Sequence, residues 1–373
     1  MSIKIAILAT LAAIPAALAA PAVPQSSIRA DGLSLIKTSA TDPGQWVTEQ
    51  EKLDRFTSKN IGFIDITDIA DEEVLSILSG SEPSNLITRA INYPSGALHK
   101  DEGSKLVANI NANGPKSWLK TFTDFHNRRY NTAVGAEAAN WLFGKVKEIS
   151  SKNTAITVKQ FKHTRFNQQS IIAKIPGSSS NLVVVGAHLD STSSSSSGRS
   201  PGAEDDGSGS VVILEALRVL AESGIKPKNT IEFHWYAGEE GGLLGSKDVW
   251  ANYKASNQNV IGYLNQDMAG WSPSGTPAVF QDFVDSKLSQ YITALIKDYF
   301  NITPNTSRCG YRCSDHASAT ANGFPSAFVA DEVMGKSFKD IHTERDTYDI
   351  IMWPTILLHS KIVASYLLEA SYI

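Results

Sequence analysis

The chain has 373 residues, 42% hydrophobic and 19% charged, with a formal net charge of -4. That length is ample for one large core or two modest ones. The mild acidity, without any basic stripe, argues against nucleic acid as the main partner, and the only two cysteines, Cys309 and Cys313, are not expected to stay free in a secreted protein.

Residues 1–20 read MSIKIAILATLAAIPAALAA: a lysine, a short apolar run broken by Pro15, then small residues with Ala17-Leu18-Ala19 as an A-x-A site. This is the pattern of a secretory signal peptide, assigned to residues 1–19. No later stretch reaches the roughly 18 apolar residues of a spanning helix, so a secreted, extracellular protein with no membrane partner is expected. Residues 20–91 are irregular and partly acidic, with a helix-like WVTEQEKLDRF piece and a strand-like IGFIDI piece. Composition leaves a small domain or a pro-segment open. The position behind a signal peptide favours a removable pro-segment, ending near Tyr93-Pro94-Ser95-Gly96.

Beyond it, strands and helices alternate. Residues 133–149 have helical spacing, 156–161 and 171–175 read as neighbouring strands, and 182–187 reads as a strand buried on both faces. A helix over 207–220, a strand over 231–237, a helix over 243–253 and a strand over 260–266 follow. A helix over 286–299, an extended 326–330 and a closing helix over 354–368 complete the chain. This order predicts one α/β domain, residues 92–373, with a central mixed, largely parallel β-sheet flanked by helices. The low-complexity run 191–197 carries no assigned chemistry.

The strand ends carry the chemistry. Strand 182–187 delivers His188, with Asp190 two positions on, and the loop beyond delivers Asp205. Strand 231–237 ends in Gly238-Glu239-Glu240, strand 260–266 ends in Asp267, and His342 follows a later loop. Such a series of imidazoles and carboxylates at one sheet edge suits a pair of zinc-like ions. Two dications bring +4, and Asp205, Glu240 and Asp267 bring -3. A bridging hydroxide then neutralises the cluster, with His188 and His342 as uncharged ligands. Glu239 is left over, a carboxylate positioned as general base. Asp190 is placed to hold the second nitrogen of His188. Each part alone is an ordinary polar loop; five in order are not. Among the other histidines, His234 reads as structural, and His316 is left open between bordering the site and background. His99, His126, His163 and His359 read as background.

GAHLDS, PGAEDDGSGS, YAGEEGGLLGS, NQDMAGW, CGYRCSDHAS and IHTERDTYD resemble, in order, the motifs of secreted di-zinc leucine aminopeptidases, the fungal extracellular enzymes above all. The likeness runs from about Tyr93 to the C-terminus, and the WVTEQEK and FIDITD pieces of the pro-segment are similar too. It implies a zinc exopeptidase (phosphorylase/hydrolase-like) fold, two zinc ions per chain, and peptide substrates with a free N-terminus. By this resemblance Asp205 bridges the ions. His188 and Asp267 complete one site, and Glu240 and His342 the other. Glu239 is base and then proton donor, and Asp190 and Asp206 support the ligands from behind. The Asp205-Asp206 peptide is expected cis. Cys309 and Cys313 would form a small disulfide beside an apolar pocket lined by Met268, Tyr311, Phe328, Met334 and Ile341.

Asn301 and Asn305 open N-glycosylation sequons, and a monomer is expected. The VADEVMGKS stretch departs from bacterial relatives, which leaves open whether leucine or another large apolar residue is preferred. The alternative is a glutaminyl cyclase-like zinc transferase on the same fold, whose relatives carry tryptophan where Ile341 stands. Metal carboxypeptidases insert a domain for which the interval from Asp267 to His342 is too short. A non-catalytic relative would lack one of the ligand positions, and all are present.

Overall fold

The computed structural model describes residues 32–80 and 90–373. The expected signal peptide, residues 20–31 and residues 81–89 lie outside the described residues. Strands β1 (Ser34–Lys37), β2 (Gln45–Val47) and β3 (Ile64–Asp65) form a small antiparallel sheet in the order β2-β1-β3. Helix α1 (Glu49–Arg55) starts where Thr48 and Glu51 cap each other: the Thr48 hydroxyl accepts from the Glu51 amide, and Glu51 accepts from the Thr48 amide. That reciprocal cap splits the WVTEQEKLDRF piece, leaving Trp46 and Val47 in a strand. Helix α2 (Glu72–Ser79) is capped by Asp71. Ile64, Ile66, Val74 and Leu78 share one buried cluster with Leu243, Phe283, Ala317 and Ala321, so this segment packs directly on the larger body.

That body holds, in chain order, α3 (Lys100–Val107), α4 (Asn113–Asp124), α5 (Ala133–Ser150), β4 (Thr157–Phe161), β5 (Ser170–Ile175), β6 (Ser179–His188), α6 (Gly209–Ser223), β7 (Asn229–Tyr236), α7 (Leu244–Ala255) and β8 (Val260–Gln266). Then follow β9 (Ala278–Phe280), α8 (Ser286–Phe300), β10 (Asn305–Ser307), α9 (His316–Ala321), β11 (Ser326–Ala330) and α10 (Trp353–Ala370). Its eight strands form one sheet in the order β10-β9-β11-β8-β6-β7-β5-β4. The centre, β11-β8-β6-β7, is parallel, while β5 and β4 on one side and the β9–β11 pairing on the other are antiparallel. The mixed, largely parallel sheet is the one expected.

The sequence explains the centre. Leu182–Val185 are buried because helices cover both faces, which permits an unbroken apolar run instead of alternation. One face packs on α6 and α10 in the main cluster, and the other packs Val184, Tyr236 and Tyr263 against Val249 and Trp250 of α7. Helix α6 ends at Gly224 in the left-handed conformation, φ 65°. Helix α10 begins with Pro354 in its first turn. Parallel strands β6, β7 and β8 therefore end together at one sheet edge, where open α/β sheets place their ligands. Among the described residues, no helix is long and apolar enough to cross a membrane.

Candidate active site

His188 is the last residue of β6, Glu239 and Glu240 follow β7, and Asp267 follows β8. Asp205 reaches the same point from the loop before α6, and His342 from the loop after β11. One oxygen of Asp205 lies 3.0 Å from Nε2 of His188, and the other lies 3.0 Å from Nε2 of His342. His188 Nε2 is also 3.7 Å from Asp267 Oδ1, and His342 Nε2 is 3.0 Å from Glu240 Oε2. Two clusters result, His188–Asp205–Asp267 and Asp205–Glu240–His342, each with donor atoms mutually within 4.8 Å. Glu239 Oε2 stands 4.0 Å from His188 Nε2.

The loops that deliver these groups are fastened by other carboxylates. Asp190 accepts from the amides of Glu239 at 3.0 Å and Glu240 at 3.2 Å, and lies 3.5 Å from His188 Nδ1. Asp206 accepts from the amides of His188, Gly209 and Met268, tying β6, α6 and the end of β8 together. The Asp205-Asp206 peptide is cis. Met268 at φ 60°, His342 at 56° and Leu243 at 61° occupy the left-handed region, which costs a non-glycine residue about 1–3 kcal/mol. Such strain persists where the surroundings dictate the conformation. Gly242, at φ 100°, could not be replaced cheaply, since a Cβ there would lie 2.4 Å from the Asp65 amide nitrogen.

The electrostatics suit cations. Burial would raise the Asp205 carboxyl, yet the imidazoles of His188 and His342 hold it well below the usual carboxylate range. Burial pushes Glu239 well above the usual range, and neighbouring Asp315, Asp267 and Glu240 add to the shift. Glu240 is raised by burial as well. Among the described residues, Oε1 of Glu240 and Nδ1 of His342 are buried with no hydrogen-bond partner. A donor set of two imidazoles and three carboxylates, with buried atoms left over, fits divalent metal.

A cavity of about 500 Å³ opens on this cluster. The five residues expected from the sequence, Met268, Tyr311, Phe328, Met334 and Ile341, all line it, and Cys309 and Cys313 in its wall are joined by a disulfide. Phe280 adds to the lining and stacks on Phe328 at 4.4 Å. His316 stacks on Phe328 at 4.8 Å, and burial pushes it down to about 3, so it is a neutral packing group behind the wall. His234 lies in a buried network with Glu232, Tyr236 and Tyr253. Asn301 and Asn305 are exposed.

Three groups were given no role by sequence reasoning. Buried Arg128 donates to the carbonyls of Leu189 and Gly202 at 2.9 and 2.8 Å, and to that of Pro201. It thereby pins both ends of the serine loop, whose residues 194–197 are exposed. Nothing near Arg128 in the sequence marks it. Asp346 accepts from the amides of Glu204 and Asp205 at 2.8 and 3.0 Å. Glu204 accepts from the Gly270 amide at 3.1 Å. Both lie inside the motifs that carry His342 and Asp205, which is where a sequence search could have found them.

The family model "Peptidase family M28" matches residues 170–367. The chain is 40% identical over 346 residues to "Leucine aminopeptidase 1" of Arthroderma otae, covering 88% of this chain and 90% of that one. Among solved structures it resembles the Legionella pneumophila LapA aminopeptidase, with TM-score 0.77 and 28% identity over 88% of this chain and 90% of the other. It shares its fold with the Bacteroides thetaiotaomicron glutaminyl cyclase bound to N-acetylhistamine, at TM-score 0.58 and 17% identity over 69% of this chain and 97% of that one. The family match spans more than half of the chain, and together with the aminopeptidase relatives it establishes that the chain belongs to peptidase family M28, as a metal-dependent aminopeptidase.

Proposed function

We propose that the chain is an extracellular aminopeptidase that removes leucine, or another large apolar residue, from the N-terminus of peptides, using two zinc ions. The observation that carries this reading is the division of Asp205 between two histidines. Each oxygen serves one donor cluster, which favours two ions over the single ion of a cyclase-like transferase. His188 and Asp267 would complete one site, and Glu240 and His342 the other. Bound there, the ions would polarise the scissile carbonyl and lower the pKa of the attacking water toward about 7.

The chain's own groups do the rest. Glu239, 4.0 Å from His188 Nε2, accepts the proton of the attacking water and returns it to the departing amine. Asp190 holds the Glu239 and Glu240 amides, so base and ligand keep one spacing. The apolar cavity beside the cluster, with Met268, Phe328 and Ile341 in its wall, takes the first side chain and excludes water. Residues 1–19 are a signal peptide and residues 20–91 a removable pro-segment, with 92–373 as catalytic domain acting as a monomer. Glycans at Asn301 and Asn305 fit their exposure, and the disulfide fits an oxidising compartment.

The test is release of leucine from leucyl anilide by wild type and by Glu239→Gln. Zinc bound by both, with turnover lost only in the variant, supports the reading. Undiminished turnover by the variant would remove Glu239 from its role.

A further inference from the structure

The loop that runs from β11 to His342 forms one wall of the cavity, with Met334, Ser337, Phe338, Lys339 and Ile341 lining it beside the donor cluster. Its acidic side chains are all engaged. Asp331 accepts from the Trp271 amide at 2.6 Å, and Glu332 accepts from the Ser272 hydroxyl at 3.1 Å and the Ser274 amide at 2.9 Å. Asp340 accepts from Arg345 Nη2 at 2.6 Å. The loop is also held on both sides of Lys339. Phe338 packs on Trp271 with ring centroids 5.7 Å apart, and the Asp340 carbonyl accepts from the Thr343 hydroxyl at 2.7 Å.

Lys339 itself is left over. It is exposed, and among the described residues no hydrogen bond or ion pair engages its ammonium. The other permanent cation of the cavity wall, Arg312, is buried over the Phe283 ring at 4.3 Å and donates to the Ile77 carbonyl at 2.7 Å. Lys339 stands three residues before His342 in the chain, so their Cα atoms are at most about 11 Å apart. A dipeptide whose amine and first carbonyl sit at the cluster carries its terminal carboxylate about 7 Å from that amine. The carboxylate falls within the span to Lys339 even before the flexible four-carbon stem of the lysine is counted.

We infer that Lys339 is a specificity-determining residue whose ammonium pairs with a substrate carboxylate carried one residue beyond the bond that is cut. That carboxylate is the C-terminus of a dipeptide or the side chain of an acidic second residue. The inference rests on the aminopeptidase reading above and names a preferred substrate class for it. The pair forms at an exposed rim, so its contribution is that of a surface ion pair: it ranks substrates and does not gate turnover.

The experiment measures kcat/KM of the processed protein, its Lys339→Gln variant and a Lys336→Gln control on two substrate pairs. Lys336 is exposed on the same loop but does not line the cavity. The first pair is leucylglycine and its C-terminal amide, and the second is the amides of leucylaspartate and leucylasparagine. Wild type is expected to favour the anionic member of at least one pair by about threefold, the scale of an exposed ion pair. Lys339→Gln should bring that ratio close to one, and Lys336→Gln should leave it in place. A preference confined to the first pair assigns the terminal carboxylate, and one confined to the second assigns the acidic side chain. The inference is overturned if wild type favours neither anionic substrate, or if its preference survives in Lys339→Gln. An equal loss in Lys336→Gln also overturns it, because the effect would then belong to the loop's net charge. No turnover of any substrate by wild type would instead defeat the aminopeptidase reading, and this inference with it.

Discussion

Replacing Asp65 with alanine should unlatch the N-terminal segment. Its carboxylate is fully buried and accepts from Lys52 Nζ at 3.3 Å, Arg165 Nη2 at 3.0 Å and the Thr67 amide at 2.9 Å. Lys247 donates to the main-chain carbonyl of the same residue. Burial alone would raise the Asp65 carboxyl, but Lys247, Lys52 and Arg165 hold it well below the usual carboxylate range. Removing one member of a buried ion cluster strands the others and costs about 3–5 kcal/mol. At about 1.4 kcal/mol per decade, the Ile66 amide, which donates to Leu35 O at 2.8 Å, should exchange its hydrogen about two to three-and-a-half decades faster. The comparison is Asp68→Ala, whose side chain is 43% exposed beside Arg165 and which should cost about 1 kcal/mol or less. The pH dependence has a definite sign. A depressed folded-state carboxyl stabilises fully above its unfolded value, about 3.9, and that contribution is lost as pH falls below it toward the folded value. Acceleration of less than tenfold in Asp65→Ala, or equal acceleration in Asp68→Ala, would refute the latch.

The other predictions concern the site and its support. Asp190→Ala frees the amides of Glu239 and Glu240 and should lower metal affinity by about 10–100-fold, read by competition with a chelating dye; unchanged affinity would contradict its supporting role. Arg128→Leu leaves the carbonyls of Leu189, Pro201 and Gly202 without their buried donor and should lose about 3 kcal/mol or more in urea unfolding. A loss below about 1 kcal/mol would mean that water replaces the guanidinium. Burial pushes His359 down to about 3, so the unfolded chain binds a proton that the folded chain refuses between about pH 6.5 and 3. Stability should fall with pH in that window by about 1.4 kcal/mol per unit from this residue. The slope should be smaller in His359→Gln; an equal slope would assign the acid lability elsewhere.

Much of the scaffold was legible because its signals are local. The strand expected over 260–266 has those same bounds as β8, and 326–330 likewise matches β11. An unbroken apolar run and a Gly-rich loop behind it are enough to mark a buried strand and a strand-end site. By contrast β9 and β10, of three residues each, are too short to show any period. Strand β6 begins at Ser179, three residues before its apolar run, where pairing with Asn229 decides the matter. The candidate ligand positions stood out because His188, Glu240 and Asp267 lie at or just beyond strand ends and Asp205 and His342 sit in loops with distinctive motifs. Arg128 did not, because its partners lie 61 to 74 residues away and are main-chain carbonyls without side-chain identity. The Asp65 latch was invisible for the same reason: Arg165 and Lys247 come near it only through the fold.

The central claim is that two metal ions, shared by Asp205, drive removal of an N-terminal residue. The measurement that tests it most directly is a titration of the metal-stripped, processed protein with zinc, following leucine release from leucyl anilide and bound zinc together. The account predicts no turnover without metal, activity that rises to completion at about two ions per chain, and no turnover at full occupancy in Glu239→Gln. Full activity in the stripped protein, or saturation at one ion per chain with Asp205→Asn binding as tightly as wild type, would contradict it.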